Sequence, residues 1–318
     1  MFLPMIFVIN PTAARGRAGQ EWKKARRELT QLGVSFKEHL TSYSGEACEA
    51  TRRALLAGEA CVIAVGGDGT LNEVVNGYFD ESGQPINPKA AIGLLPCGTG
   101  SDFRRSIGLK NRQEALRAII AGKSRLIDVV KVEVSGDDGL LHSRYSINVV
   151  SFGLGGEVVK QVNSWRNVWP RWIGGHARFV LAALKALKSY RNYTTLVDCE
   201  DGSGSLEISS NFFVVANGRF AGGGMKFAPL AEFDDGLLDV VLTDQATRWD
   251  ILKELPRIRF GWHLRNPKVK WLRSGFVQIT ASQPLPVDVD GESAGFTPAK
   301  LTVKPAALRF VVPAVNTG

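Results

Sequence analysis

Three short stretches of this chain set glycine beside acidic residues, the first two with threonine as well, at spacings suited to phosphate chemistry. The first is Val65-Gly66-Gly67-Asp68-Gly69-Thr70-Leu71-Asn72-Glu73-Val74-Val75-Asn76-Gly77, which follows the apolar run Cys61 to Val65. Glycine permits positive φ and close approach of backbone amides to a bound group, and a helix N-terminus adds partial positive charge. Thr70 and Glu73 stand at capping-box spacing, which predicts a helix starting at Thr70. The second stretch is Pro96-Cys97-Gly98-Thr99-Gly100-Ser101-Asp102-Phe103, where glycines again follow an apolar run and Ser101 or Asp102 can cap a helix. Two such turns on neighbouring strands would form one phosphate cradle. The third, Asp288-Val289-Asp290-Gly291-Glu292, reads as a strand and turn. Its acids are either solvated or, in a tight turn, convergent.

The elements that must position these residues follow from periodicity. Residues 5–9 read as a strand ending at Asn10-Pro11, and Trp22, Ala25, Leu29 and Leu32 recur at helical spacing. Val34 to Leu40 alternates as a strand, Thr41 to Gly45 is a polar turn, and a helix ends near Gly58. Strands at 61–65 and 91–95 complete an alternation that predicts a parallel sheet covered on both faces. In such sheets ligands sit beyond the carboxyl ends of the strands, where both glycine turns fall. After Asp128 the period becomes two, with runs at 130–134, 142–150, 193–199, 206–216, 237–242, 269–272, 276–281 and 299–304. This indicates an antiparallel sandwich or barrel. The expected division is 1–128 for the α/β domain and 129–306 for the β domain, with 307–318 returning to the first.

Asn10-Pro11, the Gly66 to Gly77 stretch and the Pro96-x-Gly98-Thr99-Gly100-x-Asp102-Phe103 turn together resemble the diacylglycerol kinase catalytic family. This group of soluble lipid kinases includes sphingosine and ceramide kinases. The G-G-D-G core alone is shared with NAD kinases and phosphofructokinases; the L-N-E-V-V-N-G continuation and the P-x-G-T-G partner make the likeness specific. Ser101 stands where family members often carry Asn, a change between two small polar residues. The resemblance implies a Rossmann-like, NAD-kinase-like α/β domain followed by a β-sandwich. It implies ATP and Mg²⁺ as co-substrate and cofactor, in the cleft between the domains. Asn10, Thr41, Gly66, Gly67, Asp68, Gly69, Thr70, Leu71, Asn72, Gly98, Thr99 and Asp102 would form the nucleotide site, with Asp68 holding or positioning the metal. Gly222 to Met225, Ala228-Pro229 and Asp234-Asp235-Gly236-Leu237-Leu238 follow the family's order in the second domain. A second magnesium site would use the Asp235 carboxylate and the carbonyl oxygens of Glu232 and Leu237, oxygen ligation that suits a hard cation. The D-G-E turn would supply the catalytic base, Asp290 or Glu292, to accept the proton of a lipid hydroxyl. The implied reaction is transfer of the γ-phosphate of ATP to a lipid, diacylglycerol foremost. Two other readings stand beside it, an NAD-kinase-like phosphotransferase and a non-catalytic lipid or nucleotide sensor.

The net charge of +8 favours an anionic partner. Val158 to Val197 contains no acid, and Trp165, Trp169 and Trp172 interleave with Arg166 and Arg171, a pattern suited to an anionic membrane surface or to substrate. Phe179, Val180, Ala183, Leu184 and Leu187 form a helical stripe, either interfacial or core-packed. A second basic region with Trp249, Trp262 and Trp271 runs from Arg248 to Arg273. The aromatics form no recognisable nucleic-acid motif, so no nucleic acid is expected. Neither a P-loop nor protein-kinase signatures occur, and Phe152 to Gly156 lacks the full dinucleotide fingerprint. No apolar run reaches the ~20 residues of a membrane span, and the N-terminal run reads as a core strand instead of a signal peptide. Cys48, Cys61, Cys97 and Cys199 lie far apart, which fits a reducing cytosol and no zinc site. The expectation is a cytoplasmic enzyme in peripheral contact with membrane.

Overall fold

In a computed structural model, residues 4–97, 101–165, 175–199 and 205–313 are described. The chain divides into two units, one of residues 1–127 with 306–318, the other of 128–305.

In the first unit the elements alternate: β1 (Met5–Ile9), α1 (Arg17–Gln31), β2 (Lys37–Leu40), α2 (Glu46–Leu56), β3 (Cys61–Gly66), α3 (Asp68–Tyr78), β4 (Ala91–Pro96), α4 (Phe103–Ser106) and α5 (Arg112–Ala121). β2, β1, β3 and β4 lie side by side in parallel. Their continuous β-branched and leucine runs are those of strands covered on both faces. Phe7, Ile63, Ala64, Ile92 and Leu95 have no exposed surface. Arg309 and Phe310, in the last strand of the chain, pair in parallel with Ala91 and Ile92. Trp22, Ala25 and Leu29 seat α1, but Leu32 caps its C-terminus and is exposed, so the apolar stripe ends one turn early. β2 is shorter than its alternation suggests, because Val34 is buried ahead of the ladder.

The register fixes the site. Ile9 stands level with Leu40 and with Val65, and Gly66 with Pro96. One residue on, Thr41 N–H donates to Ile9 O (2.8 Å), Asn10 N–H to Val65 O (3.1 Å) and Cys97 N–H to Gly66 O (3.0 Å). Asn10, Thr41, Gly66 and Cys97 therefore mark one carboxyl edge of the sheet.

Two expectations about helix starts are corrected. α3 begins at Asp68, two residues before Thr70, with Gly67 as an uncapped N-cap in extended conformation. No capping box forms. Glu73 instead turns to α2, accepting from Ala47 N–H (3.1 Å) and Ser44 Oγ (3.5 Å), because that helix leaves its own first amides unpaired. Neither Ser101 nor Asp102 caps α4 through its side chain.

The second unit begins within β5 (Ser124–Ser135) and continues with β6 (Leu141–Ser146), β7 (Val149–Gly153), α6 (Leu154–Ser164), α7 (Gly175–Ala186), β8 (Tyr193–Cys199), β9 (Ser205–Ser210), β10 (Phe212–Ala216), β11 (Leu238–Thr243), α8 (Arg248–Ile258), β12 (Val269–Ser274), β13 (Phe276–Ala281), β14 (Pro286–Val289) and β15 (Glu292–Val311). One series of strands runs β12-β11-β10-β7-β14-β15, and β9, β8 and β13 extend from β15. Inward residues of both series meet in one core, with Val132, Phe152, Val197, Phe213, Val240, Ile279, Val287 and Leu301 inside it. This is the sandwich packing that alternation predicts. Two of the expected runs are each two strands: Ile147-Asn148 breaks 142–150, and Asn211 breaks 206–216. The Asn148 side-chain amide serves a backbone group outside the ladder. Asn148 Nδ2 donates to Phe220 O at 2.9 Å.

Ala183 of α7 and Leu187 in the 3-10 turn after it are buried against Leu154, Val158 and Val162 of α6, whereas Leu181 and Leu184 are exposed. The Phe179 to Leu187 stripe is thus partly core and not a single interfacial face. Trp169, Trp172, Arg166 and Arg171 lie outside the described residues.

Candidate functional site

The first glycine turn owes its shape to packing and not to positive φ, which none of Gly66, Gly67 or Gly69 adopts. A Cβ on Gly66 would run into the Thr70 side chain, so that glycine lets α3 fold back over the end of β3. Gly67 is different: a Cβ there would meet no protein atom within 4 Å. The fold does not require glycine at this position, and the space it leaves is open to a bound group. Beside it, the first amides of α3 have no carbonyl one turn earlier in the helix to receive them. Leu71, expected at the nucleotide site, has both its side chain and its N–H engaged within the protein. Its side chain is buried and its N–H donates to Gly67 O (3.1 Å). Asn72 is also buried, with Asn76 Nδ2 donating to its carbonyl (2.8 Å).

Asp68 joins the two turns. Its carboxylate accepts from Asp102 N–H (2.7 Å), Ser101 Oγ (3.2 Å) and Phe103 N–H (3.3 Å). These are the donors at the start of α4, so the acid of the first turn caps the helix of the second. Charge-assisted bonds of this kind are about twice as strong as neutral ones. Ser101, the departure from the family pattern, is thereby given a role that sequence reasoning missed. Asp102 pairs with Arg105 (2.8 Å). Gly98 and Thr99 lie outside the described residues.

Asn10 Oδ1 accepts from Ala13 N–H (3.0 Å) and Thr12 Oγ1 (2.9 Å), folding the loop after β1. Thr41 is buried at the head of a turn held by Glu46, which accepts from Ser42 N–H (2.5 Å) and lies 2.9 Å from His39 Nε2. The Ser42 amide, and after it His39, keep the Glu46 carboxyl below its ordinary range.

In the second unit, Asp290 and Gly291 both adopt positive φ, 52° and 91°, between the paired residues Val289 and Glu292. This is the two-residue hairpin geometry that Asp-Gly favours. The Asp290 carboxylate is almost fully buried and accepts four hydrogen bonds. They come from Ser146 Oγ (2.6 Å) and from the amides of Ile147, Asn148 and Val149 (3.1 Å each). Three of these four donors are consecutive backbone amides. Glu292, at the head of β15, is half-buried. Two residues before Asp290, Asp288 accepts from Ser151 Oγ at 2.9 Å. Burial, reinforced by the neighbouring Asp290 and Glu292, pushes the Asp288 carboxyl well above its ordinary range. By periodicity the S-I-N-V segment at 146–149 reads as strand; the polar Asn148 inside an apolar run is the available signal of its other role.

The second-domain metal set does not fit a resident divalent cation. One oxygen of Asp235 accepts from Leu237 N–H (3.0 Å) and the other is taken by the Arg273 guanidinium. Arg273 Nε lies 3.7 Å from Asp239, which also accepts from Trp271 Nε1 (2.6 Å). A guanidinium thus already supplies positive charge at the D-G-L turn. Among the described residues no cluster of His, Cys, Asp and Glu is arranged to hold a metal ion. No step is derived through Glu232, Asp235 or Leu237.

A parallel α/β unit with glycine turns at its carboxyl edge, followed by a β-sandwich-like unit, is the plan of kinases related in fold to NAD kinase. Residues 4–132 match the diacylglycerol kinase catalytic domain, and 148–312 match the YegS C-terminal NAD kinase beta sandwich-like domain. A Chromohalobacter salexigens protein named "Probable lipid kinase YegS-like" is 30% identical over 301 residues, covering 94% of this chain and 91% of its own. A diacylglycerol kinase of Bacillus subtilis is 26% identical over 309 residues, covering 96% and 95%. The chain belongs to the diacylglycerol kinase catalytic-domain family. In fold it is similar to a diacylglycerol kinase from Bacillus anthracis, with TM-score 0.68 at 18% identity over 98% of this chain and 97% of that one. It is also similar to yeast NADH kinase, with TM-score 0.52 at 9% identity over 99% and 85%.

Proposed function

We propose that the protein transfers the γ-phosphate of ATP to the free hydroxyl of a membrane lipid, with diacylglycerol as the acceptor that its relatives favour. The observation that carries this reading is the Asp68 brace to Ser101, Asp102 and Phe103, beside the open space at Gly67. It ties the first glycine turn to the residues that follow the second. Gly66, Gly67, Gly69 and Thr70 would present backbone amides to the phosphates, with Asn10, Thr41, Gly98, Thr99 and Asp102 around them. Magnesium bound with the triphosphate would neutralise the charge of the transferring group. Asp68 would be the carboxylate that orients it.

In the second unit, Glu292 would be the proton acceptor and Asp290 the residue that positions it. Asp290 already accepts four hydrogen bonds inside the protein, so its role is to fix the turn. As the lipid oxygen bonds to the γ-phosphorus, its proton passes to Glu292 and the bond from phosphorus to the β–γ bridging oxygen breaks, releasing ADP. The deciding experiment is phosphotransfer from ATP across a panel of diacylglycerol, phosphatidylglycerol, sphingoid base, ceramide and NAD, with Asp68→Asn as control. Turnover of a lipid that is lost in Asp68→Asn supports the proposal. Turnover of NAD alone, or of nothing, refutes it.

A further inference from the structure

We propose that the outer face of α8 and the turn after it dock the protein onto an anionic phospholipid bilayer. The inference takes its purpose from the lipid-kinase reading but stands on separate residues. α8 is seated on the sandwich by Ile251, Glu254 and Ile258, all buried. Trp249, Lys253, Pro256 and Phe260 recur at helical spacing on its other side. Trp249 and Phe260 are 60% and 59% exposed, Trp262 is 53% exposed, and the Phe260 and Trp262 rings stack with centroids 4.9 Å apart. Gly261, between them, has φ +77° and packs so closely that a Cβ would lie 2.8 Å from Pro229 Cβ. This brings the neighbouring Leu230, 51% exposed, to the same patch. From Trp249 to Ile258 the helix runs about 14 Å, and Phe260 lies in the turn beyond it. Isolated exposed aromatics are ordinary, whereas a contiguous group marks an interaction surface.

Charge selects the occupant. The Arg248 guanidinium lies 5.4 Å from the Trp249 ring centroid, and Lys253, Arg259 and Arg265 are exposed around the patch. The acids of the segment are already matched: Asp250 pairs with Lys268, and Glu254 with Arg257. Among the described residues no ion pair joins Arg248, Lys253 or Arg265 to an acid. The patch therefore interleaves aromatic rings with exposed cations, the combination that places rings at headgroup depth and cations on anionic lipid. A second copy of the chain would set like charges face to face across a two-fold axis.

The test uses the full chain and vesicles of phosphatidylcholine with or without about one-third phosphatidylglycerol. Two variants are compared with wild type: Trp249→Ser/Phe260→Ser/Trp262→Ser, and Arg248→Gln/Lys253→Gln/Arg265→Gln. Both should keep the wild-type melting temperature and the rate on a short-chain, water-soluble diacylglycerol. Both should lose at least about tenfold in partitioning onto anionic vesicles. Wild-type binding should weaken with salt. Unchanged vesicle binding in both folded variants overturns the proposal. So does a wild-type dimer that the aromatic variant dissociates while vesicle binding persists. If no lipid is phosphorylated but binding is lost as stated, the kinase reading fails and the docking surface stands.

Discussion

Substitution of Asp290 tests the proposal that it anchors the turn while Glu292 accepts the proton. Its carboxylate accepts four buried hydrogen bonds, three of them from the consecutive amides of Ile147, Asn148 and Val149. In Asp290→Asn the new carbonyl can serve the three donors now on Oδ1, without the charge that strengthens them. The new amide must face the Ile147 N–H, donor to donor. A hydrogen bond to a charged group contributes about 1.5–3 kcal/mol, and a stranded buried donor costs about 1–3 kcal/mol. Losing one bond outright and weakening three gives a destabilisation of roughly 2–4 kcal/mol. For a unit of this size that lowers the melting temperature by roughly 5–15 °C. Glu292→Gln tests the proposed base, and its melting temperature is read beside that of Asp290→Asn. Its turnover should fall by about 10²–10⁴, the usual contribution of a general base. Calorimetry and a phosphotransfer assay on both variants check the argument. An Asp290→Asn protein that melts like wild type while Glu292→Gln turns over normally would reverse the assignment.

Other substitutions test the remaining parts. Gly67→Ala should fold normally, since its Cβ meets no protein atom within 4 Å, yet lose nucleotide affinity by at least about tenfold in a binding titration. Gly77→Ala should instead cost about 1–3 kcal/mol of stability, because its Cβ would press on the Cys48 carbonyl and lie 2.8 Å from Thr51 Cβ. Wild-type melting should be insensitive to a chelator, whereas Arg273→Ala, which leaves Asp235 without its guanidinium, should be restabilised by added magnesium. Asp288 has a raised folded-state pKa, so the folded state binds more protons than the unfolded chain once pH exceeds the ordinary carboxylate range. Stability should fall as pH rises from there toward that raised value, and Asp288→Asn should flatten the decline in unfolding free energy measured against pH.

Much of this was legible because it is periodic or local. Parallel strands covered on both faces show as unbroken apolar runs such as Cys61 to Val65, and the sandwich strands as alternation. The glycine turns and the Asp-Gly hairpin announce themselves by residue type. What stayed hidden were pairings across long separations. Glu73 has the spacing to cap its own helix but is drawn to the first amides of α2, a competition that sequence distance does not reveal. Asp290 gave no hint that residues 146–149 would encircle it, since the donors are mostly backbone amides, which every residue but proline carries. Arg273, 38 residues from Asp235, looked like one more charge in a basic stretch.

The contact between α2 and α3 changes what the L-N-E-V-V-N-G signature means. Glu73 and Gly77 are one helical turn apart and both meet α2, one through its first amides and the other through the Cys48 carbonyl. α2 in turn carries Glu46, which holds the turn that begins at Thr41. The later half of the signature therefore works as a gauge, setting the distance between the glycine turn and Thr41. A chain could preserve every glycine of the cradle and still lose it by changing these two residues. Conversely, a distant relative that keeps Glu and Gly at this spacing reports a preserved helix seam before it reports a preserved substrate.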